Sequence, residues 1–365
     1  MPVVNGMVTS YDVPSNARDV SDAFPLISLP DTPLLNRISL SGVATARKRE
    51  WWNDALQITS GKLAAGYTAG ALALVLATEA GVRVGMVAMV DDTVYRVTAI
   101  NTGTHTLTVV KVSAAADANH ASGALVEYMG VAALEGADYE DSDWTLETKD
   151  DNVCQIFNDF VNMSGTELAV NKEIPLPDEL DRQIDRKMKR QYQFLDKALW
   201  RGYYVDAADK TQRRIMGGVT YYIKKAGVAG SGTFTKDNLN AWLLDLKNKG
   251  GKVKTLWMNP TDLAQFSGLD AAIQNQDISS TRRGTFATEY LTAQGDLLQL
   301  VPAQNCRVGT LWCFEVEDVN LMPLQGRAFQ VQDLSKTGDS TKTMLIGEYT
   351  CEVRNPATMG YYVIG

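Results

Sequence analysis

Between Gly61 and Met129 the chain is dominated by Gly, Ala, Thr and Val, and this block is fenced by opposite charges. Arg47, Lys48 and Arg49 precede it, while Asp138, Glu140, Asp141, Asp143 and Glu147 follow it. Inside, TVYRVTAI and HTLTVVKV alternate with period two on either side of the turn-rich NTGT, which predicts a hairpin within a small β-domain. If the flanks run as antiparallel strands, their charges face one another across the ladder. The block then sits at the tip of a long loop, as an insertion into some other fold.

That other fold is mixed. From about Leu176 to Trp200, Leu180, Ile184, Met188, Leu195 and Leu199 recur at helical spacing, with Asp178 at the start and Gly202 past the end. Its apolar stripe is narrow, and Asp181, Arg182, Asp185, Arg186, Lys189 and Arg190 fill the other faces, so the helix packs on one side only. Thr235 opens a second helix carrying Leu239, Trp242, Leu243 and Leu246, stopped by Gly250 and Gly251. The strand VKTLWM follows, and Asn259-Pro260 then caps and starts a helix that ends at Gly268. From Glu289 onward strands and turns complete sheets begun elsewhere, and the whole reads as α+β.

With 365 residues, more than one folding unit is expected, because single cores stop growing at roughly 250 residues. Residues 1–40 mix Pro, Ser and Asp with short apolar groups, as in LISLPDTPLLNRI. Such an arm cannot enclose a core and must lean on a neighbouring domain or subunit.

Several kinds of chemistry are disfavoured. Against 35 Lys and Arg stand 43 Asp and Glu, and a net charge of -8 repels nucleic acid unless the basic residues gather on one face. The opening MPVVNGMVTSYDVPSNARDV has neither a basic nor an apolar leader region, and the most apolar run, residues 71–90, carries Glu79 and Arg83. Neither a signal peptide nor a membrane span is expected. Cys154, Cys306, Cys313 and Cys351 are scattered beside apolar residues and read as buried free thiols made in a reducing cytoplasm. His105 and His120 both fall in the β-block, far from every cysteine, which argues against Ser-His-Asp or Cys-His catalysis. Gly61-Lys62 and Gly251-Lys252 lack the rest of a phosphate loop, and Gly227, Gly230 and Gly232 miss the dinucleotide spacing. The acidic run GADYEDSDW fits no calcium-loop register and reads as a solvated or interface-facing strand. Trp51, Trp52 and Trp144 read as packing between the flanks or across subunits. No cofactor, metal or membrane partner is expected.

The order of segments goes further than composition. Asp31-Thr32-Pro33 followed by Leu34 and Leu35, then Glu50-Trp51 and Asn53-Asp54, resembles the start of a phage major capsid family, the one typified by the capsid protein of phage SU-ten. Gln155-Ile156-Phe157, Val161, Ser164-Gly165-Thr166, the charged helix, and Arg354-Asn355-Pro356 with Gly360 follow in the family's order. Trp52 and Ala55 depart from it, standing where a polar residue such as Gln, and Ser or Leu, are usual.

The resemblance implies the α+β Hong Kong 97-like capsid fold with an inserted all-β domain, and a structural protein in place of an enzyme. It implies an N-terminal arm over 1–46, loop legs over 47–60 and 130–150, and the insertion at 61–129. A peripheral domain over 151–214 would carry the spine helix 176–201, an axial domain would span 215–340, and strands in 341–365 would return to the peripheral domain. Partners implied are further copies of the chain in pentamers and hexamers, a portal, scaffold or decoration proteins, and packaged DNA held by non-specific proximity. The protein would be made in the bacterial host cytoplasm and reside in the virion capsid. The expected subunit interface comprises Arg47, Lys48, Arg49, Glu50 and Trp51, acidic loop residues Asp138, Glu140, Asp141 and Asp143 with Trp144, and Arg182, Arg186 and Arg190 of the spine helix. Rival readings are a nanocompartment shell enclosing a cargo enzyme, a decoration or adhesion protein binding through the β-block, and an enzyme using Asp138, Asp141 and Asp143.

Overall fold

The computed structural model of the protein describes residues 32–38, 40, 42–54, 59–113, 117–132, 135, 147–170, 179–268, 289–336 and 338–365. The chain forms two compact units, Asp54–Thr148 and the remainder, Met1–Asn53 with Lys149–Gly365.

The larger unit begins with a short helix, α1 (Pro33–Arg37), whose proline supplies a preset first turn. Leu34 and Ile38 are buried in the unit's main core beside Leu199 and Trp200, so this part of the arm packs on its own chain. Residues 1–31 lie outside the described residues. Strand β1 (Lys48–Asn53) follows.

The smaller unit is a six-stranded antiparallel sheet: β2 (Ser60–Lys62), β3 (Ala73–Val75), β4 (Met86–Val90), β5 (Thr93–Asn101), β6 (Thr106–Lys111) and β7 (Leu125–Val131), in the order β2-β7-β4-β5-β6-β3. The two ends of that order meet. Leu63 bridges Leu76, Ala64 N donates to Val75 O at 2.8 Å, and Ala77 N donates to Lys62 O at 3.0 Å, closing the sheet into a barrel with no free strand edge. The expected hairpin is β5 and β6, and its turn is held by the Asn101 side chain, which accepts from Gly103 N and Thr104 N. Alternate residues fill the interior, among them Leu74, Ala88, Val90, Val97, Leu107, Val109 and Val126.

A polar cluster runs from the buried His120 and Tyr95 out to half-buried Asp117 and exposed Asp91. Asp117 accepts from Tyr95 OH at 2.6 Å, from Tyr67 OH at 2.9 Å and from Gly70 N at 2.6 Å. These donors, Tyr95 foremost, bring the Asp117 carboxyl down to about 2. Buried His120 places Nε2 3.0 Å from Tyr95 OH and Nδ1 2.6 Å from Asp91, whose backbone is left-handed (φ 51°), a conformation that aspartate tolerates better than most residues.

The larger unit resumes with β8 (Thr148–Val153), β9 (Gln155–Ser164) and α2 (Gly165–Ala169), the last capped by the Ser164 hydroxyl. The long helix α3 (Glu179–Arg201) comes next, and residues 171–178, including the expected cap Asp178, lie outside the described residues. It buries Leu195, Leu199 and Trp200, as its stripe requires. Gly202 follows it, at a position where a Cβ would lie 2.2 Å from Met216 O. Then follow α4 (Val219–Ala226), β10 (Val228–Gly232), α5 (Lys236–Asn248), β11 (Thr255–Met258) and α6 (Pro260–Gly268). Thr235 caps α5 by accepting from Asn238 N, and Asn259 caps α6 by accepting from Thr261 N.

The remaining strands are β12 (Glu289–Leu291), β13 (Leu297–Pro302), β14 (Thr310–Cys313), β15 (Val319–Pro323), β16 (Gln330–Leu334), β17 (Ser340–Val353) and β18 (Gly360–Ile364). They make two sheets. A mixed sheet runs β10-β18-β14-β11-β13-β12, with β10/β18 and β11/β13 parallel. In the other, the 14-residue β17 carries β9 along one edge and β16 then β15 along the opposite edge, all antiparallel.

Sheet membership departs from the segment boundaries expected of the sequence. The last strand, β18, does not join β9 and β17; it lies between β10 and β14, because Gly360 lacks a side chain where Trp242 of α5 comes close and Tyr362 packs against that tryptophan. Conversely, β15 and β16, inside the expected axial segment, pair with β17. All four cysteines are buried free thiols, and burial pushes the Cys154 thiol up to about 11.

Candidate assembly surfaces

Strand β1 pairs with β8, which begins just past the acidic flank, as a two-stranded sheet. Lys48 meets Asp151 at 2.8 Å and Glu50 meets Lys149 at 2.6 Å, contacts that step in opposite directions along the two strands, as antiparallel strands require. The cations before the block thus find anions of their own chain. Arg47 lies 3.8 Å from Asp206, and Arg49 donates to buried Glu352 at 3.1 Å. Burial alone would raise the Asp151 carboxyl, but Lys48 and Tyr204 outweigh it and hold the carboxyl below its usual range; Lys48 is raised in return by its bond to Asp151.

Of the adjacent tryptophans, Trp51 belongs to the chain's own core: it is 5% exposed, donates from Nε1 to Val353 O at 2.9 Å and meets Tyr222 edge to face. Its neighbour Trp52 is 64% exposed, because successive residues of a strand point to opposite faces. Trp51, expected at a subunit interface, is thus turned into the chain's own core, while Trp52 is turned outward.

Cations of α3 are similarly engaged. Arg182 pairs with Glu179 one turn earlier, Lys187 reaches Asp159 of β9 at 3.0 Å, and Arg190 binds the same carboxylate. These cations outweigh the effect of burial and keep the Asp159 carboxyl low. Arg186 lies exposed on the same helix. Asp138, Glu140, Asp141, Asp143 and Trp144 lie outside the described residues.

The antiparallel register of β9, β17 and β16 separates two faces, since directly paired residues share a side. On one side Phe157, Val161, Thr343 and Leu345 are buried, and Asp159 is held there by α3. On the other, Phe160 is 62% and Ile156 45% exposed. Phe160 pairs with half-buried Met344, half-buried Ile346 pairs with Asn158, and exposed Leu334 pairs with Lys342. This is an exposed apolar patch on the side away from α3 of a sheet whose strand β9 pairs with no strand but β17 among the described residues. Covering a phenylalanine contributes about 1.5–3 kcal/mol, so such a face favours contact with another surface. In the sequence, the signal is that QIFNDFV carries apolar residues at both parities, Ile156 and Phe160 against Phe157 and Val161.

Among the described residues no group of three or more His, Cys, Asp or Glu is placed to hold a metal ion. No helix among them is long and apolar enough to cross a membrane.

A family model described as SU10 major capsid protein matches residues 5–363. No curated protein matches the sequence. Among solved structures, that of Microbacterium phage Oxtober96 is similar at 13% identity and a TM-score of 0.52, covering 96% of this chain and 95% of that one. The capsid of an empty GTA particle is similar at 11% identity and a TM-score of 0.53, with 100% of each chain covered. The capsid of Myoviridae phage XM1 is similar at 9% identity and a TM-score of 0.52, covering 99% of this chain and 100% of that one. At such identities the likeness is one of fold, and the fold is that of phage capsid proteins.

Proposed function

The chain belongs to the SU10 major capsid protein family, and from that membership we propose that it assembles with copies of itself into pentamers and hexamers of an icosahedral virion shell enclosing double-stranded DNA. The observation that carries the proposal is the match of the family over residues 5–363, which takes in both units. The exposed apolar residues Phe160, Ile156 and Leu334 of β9 and β16 support it, because a repeated closed contact is what buries such residues in a shell of identical subunits.

In this reading residues 47–60 and 130–150 form the legs of an extended loop, 61–129 its insertion, and residues up to 46 an arm. The peripheral layer is α3 with β9, β15, β16 and β17, and the axial layer is the mixed sheet with α5 and α6. Subunit contacts gather on the uncovered sheet face, Trp52, Arg47, Arg186 and the acidic stretch from Asp138 to Trp144. The chain's contribution is positional, with DNA held by enclosure and with portal and scaffold or decoration proteins as further partners.

The test is electron microscopy of the chain expressed alone and fractionated by size. Closed particles tens of nanometres across, or rings of five and six subunits, are expected. Protection of co-purified double-stranded DNA from nuclease in virions then separates a genome container from a protein-cargo container. A monodisperse monomer under every salt and crowding condition would count against the proposal.

A further inference from the structure

We propose that the exposed face of α3 ends in a phosphate-binding pocket, walled by Lys197 and Arg201 and suited to the phosphates of a polyanion, whether a nucleic-acid backbone or a polyphosphate. The pocket belongs to the single subunit, so it stands or falls apart from the shell reading.

The pocket is a cavity of about 400 Å³ between α3 and the loop that follows β13. Gln193, Lys197 and Arg201 recur every four residues, so they stack along one face of the helix. Gln304 and Asn305 form the opposite wall. That wall is held in place from behind. Asn259, the cap of α6, donates from Nδ2 to Gln304 O at 3.3 Å and to Cys306 O at 3.1 Å, Cys306 N donates to Ala303 O at 3.1 Å, and Asn305 donates to Asp196. A wall set in advance lowers the cost of ordering the contacts a ligand makes.

The charge of the lining is one-sided. Lys197 and Arg201 are exposed and pair with no carboxylate among the described residues, and none of the lining residues is acidic. Asp196 is their neighbour in the chain, but it is fully buried, its two oxygens accept from Leu35 N at 3.0 Å and from Asn305, and burial pushes its carboxyl up, which favours the uncharged form. Lys189, exposed and likewise paired with no carboxylate among the described residues, extends the row towards the start of α3. At about 1.5 Å per residue the three cations span about 18 Å of helix, within about a third of its circumference. Asp181 and Asp185 fall outside that arc, and Glu179, inside it, lies about 15 Å before Lys189 and is held by Arg182. A chain of net charge -8 thus carries a cationic stripe on one helix, the segregation that admits a polyanion.

The lining also selects among anions. Arginine and lysine with the amides of asparagine and glutamine are the side chains that hold phosphate oxygens, and a guanidinium can take two of those oxygens at once. A lone carboxylate would engage part of the row and leave the remaining cations unmatched, whereas successive phosphates meet it along its length. All five lining side chains end in polar groups, which gives an apolar side chain of a peptide little to bury against.

The test titrates the full chain, freed of co-purified nucleic acid by nuclease, with a fluorescent double-stranded oligonucleotide, and repeats the titration for Lys197→Gln with Arg201→Gln. Lys210→Gln with Arg213→Gln, an equal loss of charge at exposed residues elsewhere, is the control. The first pair is expected to lose affinity at least tenfold at low salt and the control pair less than twofold. The slope of log affinity against log salt is expected to fall from about -2.7 to about -0.9 in the first pair, as two of three phosphate contacts disappear. At matched ionic strength, displacement of the probe by polyphosphate or inorganic phosphate supports the pocket with free phosphate as a source, and displacement by neither supports it with the nucleic-acid backbone as the source. Equal losses in the two pairs would reduce the binding to net charge and overturn the proposal. Polyglutamate that displaces the probe as well as polyphosphate does would make the pocket a carboxylate site and overturn it too, as would an absence of binding at low salt. Should the first pair fail to fold, Lys189→Gln alone is expected to lower the slope by about 0.9, and an unchanged slope overturns the stripe.

Discussion

The barrel of residues 60–131 and the sheet of β9, β16 and β17 are both antiparallel and both alternate along their strands, yet they end differently. In the barrel, β2 and β3 meet through Leu63 and Leu76, every strand has two neighbours, and the inner face is filled. In the sheet, β9 has a single strand neighbour among the described residues, and Phe160, Ile156 and Leu334 remain exposed on the face away from α3. A closed barrel is complete as one molecule, whereas an edge strand beside an apolar face gains stability from a second. Among the described residues, the comparison gives the larger unit an open strand edge that the barrel lacks, although Val110, Met129 and Val131 are exposed on the barrel as well.

The largest effect that can break this comparison is a cavity inside the barrel. Leu107→Ala removes a fully buried side chain and is expected to cost about 2–5 kcal/mol, lowering one of two unfolding transitions in calorimetry and leaving particle formation intact. Loss of particles from that substitution would show that the barrel and the assembling surface are one cooperative unit. Next in size is the shared carboxylate of the larger unit. Arg214→Met leaves Glu348 with Arg327 alone and is expected to cost about 1–3 kcal/mol in the other transition. An unchanged transition would mean that Arg327 suffices.

A smaller effect is a pH dependence confined to the barrel. The Asp117 carboxyl in the folded barrel titrates at about 2, below its ordinary value near 3.9, so it contributes stability above about pH 4 that is lost as pH falls through about 2. Tyr95→Phe removes its strongest donor, and the fall in barrel melting temperature between pH 5 and pH 2 is expected to be shallower than in the parent. Identical slopes would remove Asp117 as the cause. Smallest in the isolated subunit is Phe160→Ser, expected to shift stability by less than about 0.5 kcal/mol because the ring is exposed, while reducing particle yield. A Phe160→Ser chain that assembles as the parent does would take that face out of the interface.

Local structure was legible in the sequence wherever short-range chemistry decides it. The caps at Thr235 and Asn259, the β5/β6 hairpin with its Asn101 turn, and the stripe of α3 all follow from residues within a few positions of one another. The order of family motifs made the fold class legible as well. What was hidden depends on distance along the chain. Barrel closure joins Leu63 to Leu76 across a turn with no tight-hairpin signature, and β18 finds β10 more than a hundred residues away. Among the candidate interface residues, charge counting marked Arg47 to Arg49 without revealing Asp151, Asp206 and Glu352 as their partners, since only folding brings those carboxylates near.

The most direct test of the division between a self-contained barrel and an assembling larger unit is negative-stain electron microscopy of a chain in which residues 63–129 are replaced by a short Gly-Ser linker, prepared beside the parent. Closed particles of the parent's diameter from the shortened chain are the predicted result. Particles from the parent and only soluble, folded monomers from the shortened chain would contradict it.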